Sequence, residues 1–158
     1  MERDVIRLHE KWMRLALAQA AVAGYQGEVP VGAAVVYAGE AIAAAGNRCE
    51  SAKDPTAHAE MLALRAAAEA LGRRRLTGCT LYVTLEPCPM CAGAIALMRP
   101  DAVVFGSWDS RSGCCGSVYR LTEDPALGLG IVPGHGGILA EECAALLSRF
   151  FTDRRHNT

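Results

Sequence analysis

Aromatic side chains are scarce, with three Phe, four Tyr and two Trp making up 6% of the 158 residues. Aliphatic and small side chains must therefore fill the core, since hydrophobic residues still amount to 51%. An excess of either charge is lacking too. Sixteen Lys and Arg against 17 Asp and Glu leave a net charge of −1. That excludes general coating of nucleic acid but leaves room for a local basic patch. At 21% charged residues with balanced signs, an intrinsically disordered chain is excluded as well. No long hydrophobic run is present. The longest uncharged stretch, Pro125 to Ala140, is punctuated by glycine and proline, so it reads as loop and strand rather than a membrane span. The charged start Met1-Glu2-Arg3-Asp4 leads into a helical pattern unlike a signal peptide. These features predict a cytoplasmic protein with one domain over residues 1–158, burying roughly 70% of the surface its unfolded chain exposes.

Cysteine is plentiful, at seven residues. An odd number without a secretion signal predicts reduced thiols, and a close Cys-x-x-Cys then points to a metal before a disulfide.

Val5, Leu8, Trp12, Leu15 and Val22 recur at helical spacing and predict an amphipathic helix from Asp4 to Ala23, with these side chains as its buried stripe. Val31 to Tyr37 and Ala41 to Gly46, separated at Gly39, predict a hairpin. Asn47 to Thr56 is a polar loop. His58 to Leu71 is a helix by composition, with Asp54-Pro55 as its expected cap. Thr80 to Leu85 and Ala102 to Gly106 read as strands. Cys88 to Met98 is a helix closed by Pro100, and Glu141 to Arg155 is a last helix. Alternating strands and helices imply a sheet covered on both faces.

The chemistry is concentrated in His58-Ala59-Glu60 and Pro87-Cys88-Pro89-Met90-Cys91, each opening a predicted helix. The partial positive charge of a helix N-terminus favours thiolate, hence metal binding. Cys88 and Cys91 lie three apart on a first turn, and His58 comes from a second helix. Three ligands of this softness suit zinc and leave a fourth position for water, whose pKa falls to about 7 there. Glu60 lies about 200° around the helix from His58 and is a poor ligand. It is instead suited to carrying a proton between water and leaving group. A Cys-x-x-Cys alone is often structural or redox-active, but His-x-Glu followed by Pro-Cys-x-x-Cys is the pattern of zinc nucleobase deaminases.

Longer motifs extend the likeness. Glu28-Val29-Pro30-Val31-Gly32-Ala33, Gly46-Asn47-Arg48, Asp54 to Glu60, Thr80 to Ala94, Val104-Phe105-Gly106 and Ile138 to Cys143 resemble bacterial tRNA-specific adenosine deaminases over residues 8 to 151. That resemblance implies a three-layer α/β/α cytidine-deaminase-like fold around a mixed five-stranded sheet, a homodimer, and one zinc per subunit without an organic cofactor. It implies conversion of adenosine to inosine at the wobble position of a tRNA anticodon stem-loop, by zinc-bound hydroxide with Glu60 as proton shuttle. It also implies that Asn47 bonds the base, that Asp109 approaches the ribose, and that Pro30, Ala59 and Glu86 adjoin the substrate. The chain departs from the family pattern at Ala126 to Gly130, at Trp108 and at Cys114-Cys115, all near the expected RNA loop.

Arg3, Arg7, Lys11 and Arg14 form a basic stripe on the first helix, joined by Arg73-Arg74-Arg75, Arg149, Arg154 and Arg155; each reads first as solvated surface. Trp12 reads as core, whereas Trp108, in a loop after a strand, is a candidate for base stacking. Cys49, Cys79 and Cys143 read as small buried hydrophobes, and Cys114-Cys115 as loop packing. Two alternatives stand beside the main reading: a deaminase of a free base such as guanine or cytosine, and a zinc-stabilised nucleic-acid-binding module without catalysis.

Overall fold

A computed structural model describes residues 2–156. The chain runs through α1 (Arg3–Tyr25), β1 (Gly32–Tyr37), β2 (Glu40–Gly46), α2 (Cys49–Ala52) and α3 (Ala59–Leu71). It continues through β3 (Cys79–Leu85), α4 (Pro89–Met98), β4 (Ala102–Ser107), β5 (Gly134–His135) and α5 (Ala140–His156). The strand order is β2-β1-β3-β4-β5. β1 is antiparallel to β2 and β3, while β4 runs parallel to β3 and β5. The sheet is thus mixed and five-stranded, as the resemblance implies. None of the described helices is long and apolar enough to cross a membrane.

Period-two alternation sorts the sheet side chains between two cores. Val35, Leu81, Val83, Val103 and Phe105 face α3 and α4, where they meet Ala63, Leu64, Ala67 and Ile95. Val36, Tyr82 and Val104 face α1 and α5, where they meet Met13, Ala16 and Cys143. The central strands are buried on both faces and read as near-continuous apolar runs.

The buried stripe of α1 differs from the expected one. Met13, Ala16, Ala20 and Ala23 are buried, whereas Val5, Leu8 and Val22 are 40%, 50% and 52% exposed. The reason lies in the sheet. A Cβ on Gly32 would collide with the Ala16 carbonyl and the Ala20 amide, so helix and strand touch backbone to backbone and only small side chains fit between them.

The expected cap of α3 also differs. His58 occupies the N-cap position in extended conformation, and the Asp54 carboxylate instead accepts from the amide and hydroxyl of Thr56. Within the expected polar loop, residues 49–52 form a single helical turn, α2. The segment before α5 holds two short 3₁₀ turns and the two-residue strand β5. Cys79 and Cys143 are buried, as expected for small apolar side chains, Cys114 and Cys115 are buried too, and Cys49 is half-buried and lines a cavity.

Candidate active site

Two chain segments converge beyond the C-terminal end of β3. Cys88 is the N-cap of α4, Pro89 presets its first turn, and Cys91 follows within that turn. His58 enters from the N-terminus of α3. Its Nδ1 lies 3.6 Å from Cys88 Sγ and 3.5 Å from Cys91 Sγ. The three donor atoms all lie within 4.8 Å of one another, the one such group among the described residues. Bonds of about 2.1 Å to nitrogen and 2.3 Å to sulfur at a tetrahedral angle separate the two donors by roughly 3.6 Å. The His58 to cysteine separations therefore fit zinc without rearrangement, and the donor set of one imidazole and two sulfurs fits its softness.

The Cys91 thiol, and then the His58 ring, hold Cys88 well below the ordinary thiol range despite its partial burial. A thiolate is therefore ready for a cation. Glu60, the second residue of α3, is only 4% exposed, and burial pushes its carboxyl above the ordinary range. A carboxyl poised in this way can hold a proton and release it to a nearby base.

These groups border a cavity of about 310 Å³, lined by His58, Ala59, Glu60 and Cys88 on one side and Asn47, Asp109 and Ser112 on others. Val29, Val31 and Leu85 supply apolar walls. Asn47 accepts from the Cys49 amide through Oδ1 and donates to the Val29 carbonyl through Nδ2. One N–H and one lone pair of its amide are left for a ligand. The Asp109 carboxylate accepts from the amides of Arg111 and Ser112 and from the Ser112 hydroxyl.

Of the residues expected around a substrate, the structure brings Asn47, Ala59, Glu86 and Asp109 to this cavity. Pro30 lies elsewhere, lining a groove with Tyr25, Leu146 and Phe150. Glu86 adjoins the cavity, but its carboxylate is engaged on all sides: Oε1 accepts from the Asp109 amide and the Ser117 hydroxyl, and Oε2 from the amides of Cys115 and Ser117. Four bonds fill the roughly four acceptor sites of a carboxylate, which leaves none for a base.

Glu28 was not foreseen. It is 2% exposed, and its two oxygens accept the amides of Glu50 and Ser51 at 2.9 and 2.8 Å, satisfying the N-terminus of α2. Nothing in local spacing links residue 28 to residues 50 and 51.

The expected basic stripe of α1 is exposed. Arg14 pairs with Glu142 at 3.2 Å, and Lys11 sits over the Trp12 ring. Arg73 is committed to its own turn, donating to the carbonyls of Arg75 and Thr77. Arg111 and Arg154 flank Phe151 in a second, open cavity. Trp108 is half-exposed, its ring edge-on to Phe105 at 4.8 Å.

Comparison with known proteins agrees with this geometry. Residues 6–107 match the model of the cytidine and deoxycytidylate deaminase zinc-binding region. A tRNA-specific adenosine deaminase of Bacillus subtilis (strain 168) is 47% identical over 148 residues, covering 92% of this chain and 90% of that protein. A structure solved in a study of A-to-I editing by tRNA:A34 deaminases at the wobble position of transfer RNA superposes with a TM-score of 0.82 at 43% identity, covering 87% and 99% of the two chains. A guanine deaminase from Bacillus subtilis gives a TM-score of 0.61 at 41% identity over 63% of this chain and 64% of its own.

Proposed function

The chain belongs to the zinc-binding deaminase family of cytidine and deoxycytidylate deaminases, hydrolases of C–N bonds, and from that premise we propose that it converts adenosine to inosine at the wobble position of a tRNA anticodon. The observation that carries the reading is a buried carboxyl, Glu60, set in one cavity with a three-donor zinc site. His58, Cys88 and Cys91 would hold the zinc, which would lower the pKa of a bound water to about 7 and so supply a nucleophile at neutral pH.

The remaining work falls to side chains. Glu60 takes a proton from the water and gives it to N1 of the adenine, which makes C6 electrophilic. The water oxygen bonds to C6, Glu60 carries that oxygen's remaining proton to the amino group, and the C6–N bond breaks, so that water and adenosine become inosine and ammonia. Asn47 holds the base edge with its uncommitted amide N–H and lone pair. Asp109, at the rim, accepts from a ribose hydroxyl. The apolar walls Val29, Val31 and Leu85 exclude bulk water from the base.

The target base must leave its stack to reach this cavity. In a single-stranded anticodon loop no pairing is broken, so the cost stays at a few kcal/mol. Arg111 and Arg154, beside exposed Phe151, are suited to the flanking phosphates. The same reading carries a homodimer working on the cytoplasmic tRNA pool.

A second reading, deamination of a free purine, is favoured by the likeness to the guanine deaminase. The two are separated by incubating zinc-loaded protein with an anticodon stem-loop bearing wobble adenosine and, separately, with free adenosine, guanine and cytosine. Inosine in the stem-loop, abolished in Glu60→Gln with zinc retained, is the expected outcome. Turnover of guanine with an inert stem-loop would overturn the tRNA assignment and keep the chemistry.

A further inference from the structure

The fully engaged carboxylate of Glu86 stands outside the proton chemistry, and we infer that it is the positioning residue that registers the substrate-side wall of the cavity against the zinc ligands. Four observations carry this. Glu86 is 2% exposed and lies two residues before Cys88, on the segment that leaves β3 for α4. Its oxygens receive the amides of Asp109, Cys115 and Ser117 at 3.0, 3.1 and 2.9 Å, and the Ser117 hydroxyl as well. The adjacent Pro87 carbonyl takes the Cys114 amide at 2.8 Å. A Cβ on Gly113 would run into the Glu86 carboxylate, so the loop closes over it with no side chain between.

The loop from Asp109 to Ser117 carries two residues of the cavity wall, Asp109 and Ser112; residues 118–122 hold its far end, and on the side of the metal ligands five hydrogen bonds tie it to residues 86 and 87. The segment that holds it also delivers Cys88 to the metal. One short piece of chain therefore sets the separation between the group that meets the substrate and the ion that activates water. Exchanging the carboxylate for an amide turns two acceptor sites into donors facing other donors and frees the loop, while every zinc ligand and Glu60 stay in place.

This inference rests on the deaminase chemistry and not on the tRNA assignment. The test uses whichever of the wobble stem-loop and free guanine the wild type turns over, so failure of the RNA reading leaves it standing. Zinc-loaded wild type, Glu86→Gln, Asp109→Ala and the double variant are compared for kcat, KM, zinc content and amide exchange. Glu86→Gln is expected to keep one zinc per chain, to raise KM at least tenfold with kcat changed less than threefold, and to speed exchange at Asp109, Cys115 and Ser117. In the double variant Asp109→Ala is expected to add less than twofold, because a wall already adrift has little left to lose. An unchanged KM, or two losses that multiply, overturns the inference. If Glu86→Gln does not fold, Ser117→Ala removes one of the four bonds near the surface and carries the same cycle with Asp109→Ala, under the same criteria at a threefold rise in KM.

Discussion

Replacing Glu28 by Gln isolates what a distant carboxylate does for one wall of the cavity. In the wild type each oxygen accepts one amide from the start of α2, at 2.9 Å from Glu50 and 2.8 Å from Ser51. An amide side chain keeps one acceptor and presents an NH₂ to the other backbone N–H. One buried donor is then orphaned, and the surviving bond loses its charge assistance. A hydrogen bond to a charged group contributes about 1.5–3 kcal/mol, so the expected loss is about 2–3 kcal/mol. For a domain of this size that lowers the melting midpoint by roughly 4–10 °C. The sign with pH follows from the carboxyl itself. Burial would raise its pKa, but the bonds from Glu50 and Ser51 and the charge of Arg48 outweigh this and hold it below its ordinary value of 4.5. A depressed pKa stabilises the fold above the unfolded value, and that stabilisation is lost as pH falls through the folded value. The gap between wild type and Glu28→Gln in urea unfolding should be full at pH 7 and should narrow below about pH 4.5. Equal stability at pH 7, or a gap that widens in acid, would refute this account of α2.

Other substitutions probe the remaining parts of the fold and site. Cys91→Ala removes a fully buried donor of the three-residue cluster that can hold zinc; metal analysis should fall from one zinc per chain to well below it and deaminase activity should vanish, whereas a full complement of zinc would show the ligand set to be wrong. Met13→Ala empties a buried position against Val36, Tyr82 and Val104, with an expected cost of about 2–5 kcal/mol in denaturant unfolding. Arg14→Ala breaks an ion pair whose partners are 60% and 53% exposed; such pairs contribute below about 1 kcal/mol, so a larger loss would mean that Arg14 does something other than meet Glu142.

The cluster of His58, Cys88 and Cys91 was legible in the sequence because its parts are local. Cys88 and Cys91 share one helical turn, and His58 and Glu60 sit two residues apart at the start of another. The four longer strands of the sheet, β1 to β4, and the long helices were legible for the same reason, through runs of apolar residues between glycines and prolines. What escaped depends on distant partners. The face of α1 that packs is decided by Gly32, which admits the helix backbone and turns Ala16 and Ala20 inward in place of Leu8 and Val22. α2 exists because residue 28 receives its free amides, and β5 is two residues long with no periodicity to read. Pro30 shares the stretch Glu28 to Ala33 with Val31, yet the chain turns there and, of the two, Val31 reaches the cavity. A pattern along the chain reports which residues travel together, and packing decides which way each one faces.

The distribution of thiols has a practical consequence. Five of the seven cysteines are buried, and Cys88, one of the two that are not, is held by the metal when zinc is bound. Cys49 is left over, half-buried and lining the cavity, with burial first and then the charges of Glu28 and Asp54 holding its thiol above the ordinary range. The zinc-loaded chain therefore carries a natural attachment point for a maleimide dye, slow to react at neutral pH and faster under mild alkali. A fluorophore there stands on the cavity wall, so a ligand that fills the cavity should change its emission without any residue having been replaced.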